Sequence, residues 1–210
     1  ILPSTQAINE IYGQMIKGRF ASFGPYGSAL NANLTDATIG LWTWMRQKML
    51  PSPSKFHYTF NLRDLARVFQ GVLRTPLASI DTTKTFMKLW RHEAERVLCD
   101  KLTNNTDKDL FMVKLDESTE QLLKLVDTPA IRSAMSSRPG IGGKSSFKKG
   151  GGAAAAAKPT CKDEFVELED LKEGGEVFFV DFLRDDVYDE DGILVEEAPK
   201  IYEFGGTMEF

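Results

Sequence analysis

A cation at the start of a helix sits at the unfavourable end of the macrodipole unless an anion joins it there. Arg63 occupies such a place. Asn61 before it is a strong helix-capping type and Asp64 supplies a first-turn carboxylate. Leu62, Leu65, Val68, Phe69 and Val72 then recur at helical spacing as a core face. An arginine fork beside free backbone N–H groups suits a phosphate, with Asn61, Asp64 and Arg67 as the polar face supporting it. Arg67, Gln70 and Arg74 also continue that face in the manner of any solvated helix, with Asp64 partly compensating, and exposed arginines are common, so spacing alone favours the solvated-face reading over the phosphate one.

Other chemistry-bearing residues fall short of a site. Arg138-Pro-Gly-Ile-Gly-Gly-Lys-Ser145 departs from a phosphate-binding loop only in having Arg138 for the first glycine. It nevertheless lacks the preceding buried strand and the following helix that such a loop requires. His57 and His92 have no carboxylate or cysteine neighbours at ligand spacing, and Cys99 and Cys161 stand far apart, so no metal site or disulfide framework is expected. Trp42, Trp44 and Trp90 are expected as core or interface anchors. No catalytic constellation is legible.

The elements that would position Arg63 are helical. Ser4 or Thr5 caps a predicted helix over residues 4–17, whose Ile8, Ile11, Tyr12, Met15 and Ile16 should be buried. A longer helix carries Leu34, Ala37, Leu41, Trp44, Met45 and Met49 and is ended by Pro51 and Pro53. After the Asn61 helix, Asp81 can cap a fourth with Phe86, Leu89, Trp90, Ala94, Val97 and Leu98 inward. Apolar spacing resumes at Leu110, Phe111, Leu115, Leu122, Leu123 and Leu125. Four or five amphipathic helices make a bundle, so the fold class is mainly α.

Composition then changes. Residues 136–162 are rich in Gly, Ser, Lys and Ala and read as a mobile insert. Residues 163–203 hold sixteen acidic and three basic side chains, whereas the remainder carries a net +9 within a chain of net charge −4. Within this acidic extension Val177 to Leu183 is a short apolar run, and Ile193 to Tyr202 reads as an extended exit segment. The basic part is not interleaved with aromatics along one stripe, which argues against a nucleic-acid groove. No apolar run approaches the ~20 residues of a membrane span. The unpunctuated ends, Ile1 and Phe210, suggest a piece of a longer chain.

Three blocks carry a resemblance. Leu2-Pro-Ser-Thr-Gln-Ala-Ile-Asn-Glu-Ile-Tyr12 opens the chain. His57-Tyr-Thr-Phe-Asn-Leu-Arg-Asp-Leu-Ala-Arg-Val-Phe-Gln-Gly71 comes next, and then Leu89-Trp-Arg-His-Glu-Ala-Glu-Arg-Val97 with Asp100. In this order they resemble axonemal dynein heavy chains, and the middle block is similar to the start of the main lid helix in the third AAA+ module of the motor ring. Residues 136–162 do not match the family, and Cys99 and Lys101 depart from its wording.

The resemblance implies an AAA+ helical lid over residues 1–135 and, beyond the insert that composition places over 136–162, an acidic extension and linker to the next module over 163–210. It implies that Arg63 corresponds to the sensor 2 arginine, contacting the γ-phosphate of ATP, with ATP or ADP and Mg2+ bound mainly by a large subdomain elsewhere in the heavy chain. The fragment alone would not be an enzyme; the parent chain would be an ATP-hydrolysing, minus-end-directed microtubule motor of the ciliary or flagellar axoneme. Its partners would be the rest of the heavy chain, other dynein subunits and the microtubule, with neither nucleic acid nor membrane. The alternative is a helical protein-interaction module with an acidic tail and no nucleotide role.

Overall fold

The computed structural model describes residues 3–136 and 161–172, with four strand segments at 177–178, 187–188, 194–196 and 202–203. It is mainly helical. Helix α1 (Thr5–Arg19) starts where Ser4 Oγ accepts from Ala7 N, at 3.2 Å. Its buried stripe is Ile8 and Ile16, with Tyr12 stacked on Phe69 at 4.4 Å between centroids. Ile11 and Met15, expected inside, are 53% and 50% exposed. They lie on a second stripe beside the first, and α1 packs chiefly against α2 and α3.

Helix α2 (Pro25–Lys48) is the centre of the bundle and touches α1, α3, α4, α5 and α6. Pro25 sits at the helix start, where its missing N–H costs nothing. Because neighbours surround it, α2 buries polar groups along with Leu30, Leu34, Ile39, Leu41, Trp42 and Met45. Thr38 Oγ1 donates to Leu34 O at 2.7 Å and accepts from Trp90 Nε1 at 2.9 Å, so one hydroxyl serves two helices.

Helices α3 (Leu62–Arg74) and α4 (Thr83–Ala94) pack closely at Gly71. A Cβ there would lie 2.0 Å from a carboxylate oxygen of Glu93. Glu93 is buried and paired with Arg96 at 2.5 Å, so it is not free to withdraw. The cap of α4 is Thr82, whose Oγ1 accepts from Thr85 N at 3.1 Å; Asp81, the expected cap, instead accepts from the Thr85 hydroxyl at 3.2 Å. Helix α4 passes into a π turn (Glu95–Cys99), closed by Asp100 N donating to Glu95 O at 3.2 Å. The extra residue of a π turn rotates the succeeding chain by about 100° relative to a continuing α-helix. Helix α5 (Asn105–Val126) buries Phe111, Leu115, Leu122, Leu123 and Val126, while Leu110 and Leu125, expected inside, are exposed. Helix α6 (Pro129–Ser136) completes this part.

Residues 161–172 return to the bundle. Cys161 and Lys162, expected from sequence at the end of the insert, pack continuously with the first residues of the acidic extension. Lys162 N donates to Asp81 O at 2.7 Å and Lys162 O accepts from Thr83 N at 3.1 Å. Thr83 Oγ1 donates to Glu164 O at 2.7 Å and accepts from Glu164 N at 3.0 Å. The α2 N-cap, Gly24, has no side chain with which to cap. Asp163 supplies the missing carboxylate, accepting from Tyr26 N at 3.3 Å and Gly27 N at 3.2 Å. Phe165 meets the Tyr26 ring edge-on at 5.0 Å, and α7 (Leu168–Lys172) ends in an ion pair from Lys172 to Asp116, at 2.7 Å.

Asp163→Ala is therefore expected to cost about 1–2 kcal/mol, the usual worth of a carboxylate cap at a helix start. Chemical denaturation of the chain measures it. An unchanged midpoint would mean that the cap contributes nothing.

The remaining strands form two antiparallel pairs, β1 (Val177–Phe178) with β4 (Tyr202–Glu203) and β2 (Val187–Tyr188) with β3 (Leu194–Glu196). The apolar run and the exit segment thus both contribute short extended pieces. Arg138 to Ser145 and most of the expected insert lie outside the described residues.

Candidate functional site

The start of α3 is held from several directions. Asn61 Oδ1 accepts from Arg63 N at 3.0 Å, and Asp64 Oδ2 accepts from Asn61 N at 2.9 Å, forming a reciprocal cap. Trp42 Nε1 on α2 donates to Asn61 O at 3.1 Å, and Arg46 lies over the Trp42 ring at 4.7 Å. Beneath, Asp64 is 2% exposed, and its Oδ1 pairs with Lys101 Nζ from the turn between the π turn and α5. Lys101 also reaches Thr59 O at 3.5 Å and stands 5.5 Å over the Phe60 ring. Its carbonyl is met by His57 Nε2 at 3.1 Å.

Out of this frame projects Arg63, exposed, with Arg67 exposed one turn further on. Among the described residues neither guanidinium makes an ion pair or a side-chain hydrogen bond. Of the four residues singled out by sequence, Arg63 and Arg67 therefore face outward, while Asn61 and Asp64 serve the helix itself. The expectation of free N–H groups beside Arg63 is corrected: the Arg63 N–H is taken by the Asn61 side chain at 3.0 Å and the Asp64 N–H by Asn61 O at 3.1 Å. That leaves the two outward guanidinium groups as the exposed donors at this helix start. Sequence does not point to Trp42, Lys101 and His57 as parts of this frame; Lys101 stands out there only as a departure from the family's wording.

Elsewhere among the described residues several titratable groups serve the fold. Burial pushes the Cys99 thiol up to about 11 and the Cys161 thiol up to about 12, which leaves both protonated and unreactive. Lys55 pairs with Asp107, which also accepts from Tyr58 Oη at 3.0 Å, and this draws the Asp107 carboxyl below its ordinary value. Among the described residues no cluster of three His, Cys, Asp or Glu is placed to hold a metal, and no helix is long and apolar enough to cross a membrane. A groove of about 890 Å³ takes none of its lining from α3. Carboxylates Glu120, Asp127, Glu167 and Glu169 outnumber Lys124 and Arg132 there, which does not suit a phosphate.

His92 on α4 is half-buried, and desolvation lowers its pKa, with Arg96 adding to the effect and Glu93 and Asp100 opposing it. The unfolded chain then binds the proton more readily than the folded one. Stability from this group is complete above the unfolded value of about 6.5 and declines as pH falls through that value. Denaturation midpoints between neutral pH and pH 5 are expected to fall less in His92→Gln than in the parent; equal declines would exclude His92 as a source.

Residues 34–131 match the AAA+ lid domain family. Over its full length the chain is 32% identical to human dynein axonemal heavy chain 8, of which it spans 4%. It is 38% identical over 61% of its length to the dynein gamma chain of the flagellar outer arm of Chlamydomonas reinhardtii, spanning 3% of that protein. Human dynein axonemal heavy chain 10 is 40% identical over 51% of the chain, which spans 2% of that relative.

Proposed function

The chain carries an AAA+ lid domain and is homologous to axonemal dynein heavy chains, and from that premise we propose that Arg63 reads the nucleotide of its AAA+ module. In this reading the module is the third of the ring. Arg63 meets the γ-phosphate of ATP as a sensor 2 arginine, while a large subdomain elsewhere in the heavy chain holds the nucleotide and Mg2+. Arg67, on the same outward face, adds positive potential.

The observation that carries the reading is the outward Arg63 guanidinium, unpaired among the described residues, on a helix start fixed by Trp42, Asn61, Asp64 and Lys101. A phosphate-sensing arginine needs that combination. The backbone must not move, or binding energy is lost in ordering it, and the fork must have no internal partner to abandon. A cation meeting the γ-phosphate stabilises charge as it develops in phosphoryl transfer. The rigid bundle then turns nucleotide state into lid position, which biases neighbouring modules between states that grip and release a microtubule. Such a heavy chain works in the axoneme as an ATP-driven, minus-end-directed motor beside other dynein subunits, with the lid non-catalytic by itself.

An interaction module with a free acidic tail is less well supported, because the acidic extension begins by turning inward. Asp163 is spent on α2, and Lys172 is paired with Asp116. Cryo-electron microscopy of the intact heavy chain with a non-hydrolysable ATP analogue tests the proposal. Arg63 is expected within about 3 Å of a phosphate oxygen, the length of a charge-assisted hydrogen bond. A guanidinium facing solvent or a carboxylate with nucleotide in place would leave only the lid assignment.

A further inference from the structure

Asp64 adjoins Arg63 in sequence and carries a charge that would bind a guanidinium well. A carboxylate one residue from a phosphate-seeking arginine is a competitor for it, and a source of repulsion towards the phosphate. Among the described residues Arg63 nevertheless has no partner, and the Asp64 carboxylate is turned inward, 2% exposed, and held by Lys101 and the Asn61 N–H. We propose that Lys101 is a positioning residue for Arg63: it sequesters the neighbouring carboxylate and thereby keeps the guanidinium free for phosphate. The inference rests on the sensor reading of Arg63.

Several features equip Lys101 for the task. The π turn at Glu95–Cys99 lies just before it and shifts the rotational register of the chain that follows. Its carbonyl is tied to the His57 ring, and its ammonium is further held by Thr59 O and the face of Phe60. The Lys101 side chain retains 30% of its exposure, so its ammonium can lose Asp64 to water at little cost, whereas Asp64 at 3% cannot be rehydrated in place. Removing Lys101 therefore leaves a charge that must move outward, and the cation adjoining it on the outward side is Arg63.

The test uses the intact heavy chain and the affinity and release rate of methylanthraniloyl-labelled ATP, read as differences from the parent so that other modules cancel. Lys101→Met is expected to weaken binding by about 5–20-fold, part of the worth of one charge-assisted hydrogen bond. Lys101→Arg, which still pairs with the carboxylate, is expected to retain parental affinity. Lys101→Met combined with Asp64→Asn is expected to recover it, since the neutral amide accepts from Asn61 N but no longer competes for Arg63. The same pair removes the buried uncompensated charge, so it folds even where Lys101→Met alone does not.

In an Arg63→Ala background, adding Lys101→Met should change affinity by less than about 2-fold, the behaviour of two residues acting through one interaction. Equal losses from Lys101→Met with and without Arg63 would overturn the proposal, as would failure of Asp64→Asn to rescue. If Arg63→Ala weakens binding and Lys101→Met does not, the positioning role falls and the sensor reading stands. If Arg63→Ala itself has no effect, both fall.

Discussion

Arg63→Ala in the intact heavy chain is expected to weaken ATP binding by the module that this lid closes by about 10–100-fold, the range for losing a hydrogen bond between charged groups. ADP should be affected far less, because the γ-phosphate is the group that Arg63 is proposed to meet. That asymmetry separates a phosphate sensor from a general electrostatic contribution, which would weaken both nucleotides together. The folding cost is expected to be small: the side chain is exposed and unpaired, and the α3 cap uses its backbone N–H rather than its guanidinium. Arg63→Lys should recover only part of the affinity, since an ammonium cannot present the planar fork. Titration of labelled ATP and ADP against the two variants measures this. Equal weakening of both nucleotides, or none, would remove Arg63 from the γ-phosphate.

The largest effect on stability is expected at Trp90. Its side chain is fully buried on α4 and its Nε1 donates to Thr38 Oγ1 on the central helix, at 2.9 Å. Trp90→Ala removes the indole, opens a cavity between α2 and α4, and leaves the Thr38 hydroxyl without its donor. Large-to-small changes of this kind cost about 3–5 kcal/mol, enough to lower the melting temperature by about 10 °C or more in a domain of this size. Trp90→Phe keeps much of the ring volume and loses the hydrogen bond, for which about 1–2 kcal/mol is expected. Calorimetry on the parent and both variants checks the order. A Trp90→Phe cost equal to that of Trp90→Ala would place the energy in the hydrogen bond rather than in packing.

Both predictions share a frame. Trp42 and Trp90 each send an indole N–H to a main-chain or hydroxyl oxygen on a neighbouring element, Asn61 O and Thr38 Oγ1 respectively. The first of these fixes the start of α3, and so the base of Arg63. The second fixes α4 against α2. A residue presented on the surface is thus located by buried donors whose geometry tolerates little displacement, as a site that must bind without reorganising requires.

The core faces of α3 and α4 were legible from spacing, because a helix against a bundle repeats its buried positions every three or four residues, and Leu65, Val68, Phe69, Phe86, Leu89 and Trp90 do so. The Asn61 and Asp64 cap was legible too, since capping depends on neighbours in the chain. Periodicity misled where a helix carries two apolar stripes but meets partners along one, as at Ile11 and Met15. It also gave no sign that Asp163 returns to cap α2, a contact spanning more than a hundred residues whose donors are backbone N–H groups common to nearly all residue types.

For the candidate site, sequence by itself determined that a cation stands in the first turn of a capped helix, because both the cap and the dipole are local properties. Only the tertiary structure decided that this cation is unclaimed among the described residues. The Asp64 carboxylate is held instead by a third charge, Lys101, which follows the π turn and lies thirty-seven residues away in sequence. Burial and pairing are properties of what packs against a side chain, and no spacing along one helix encodes them.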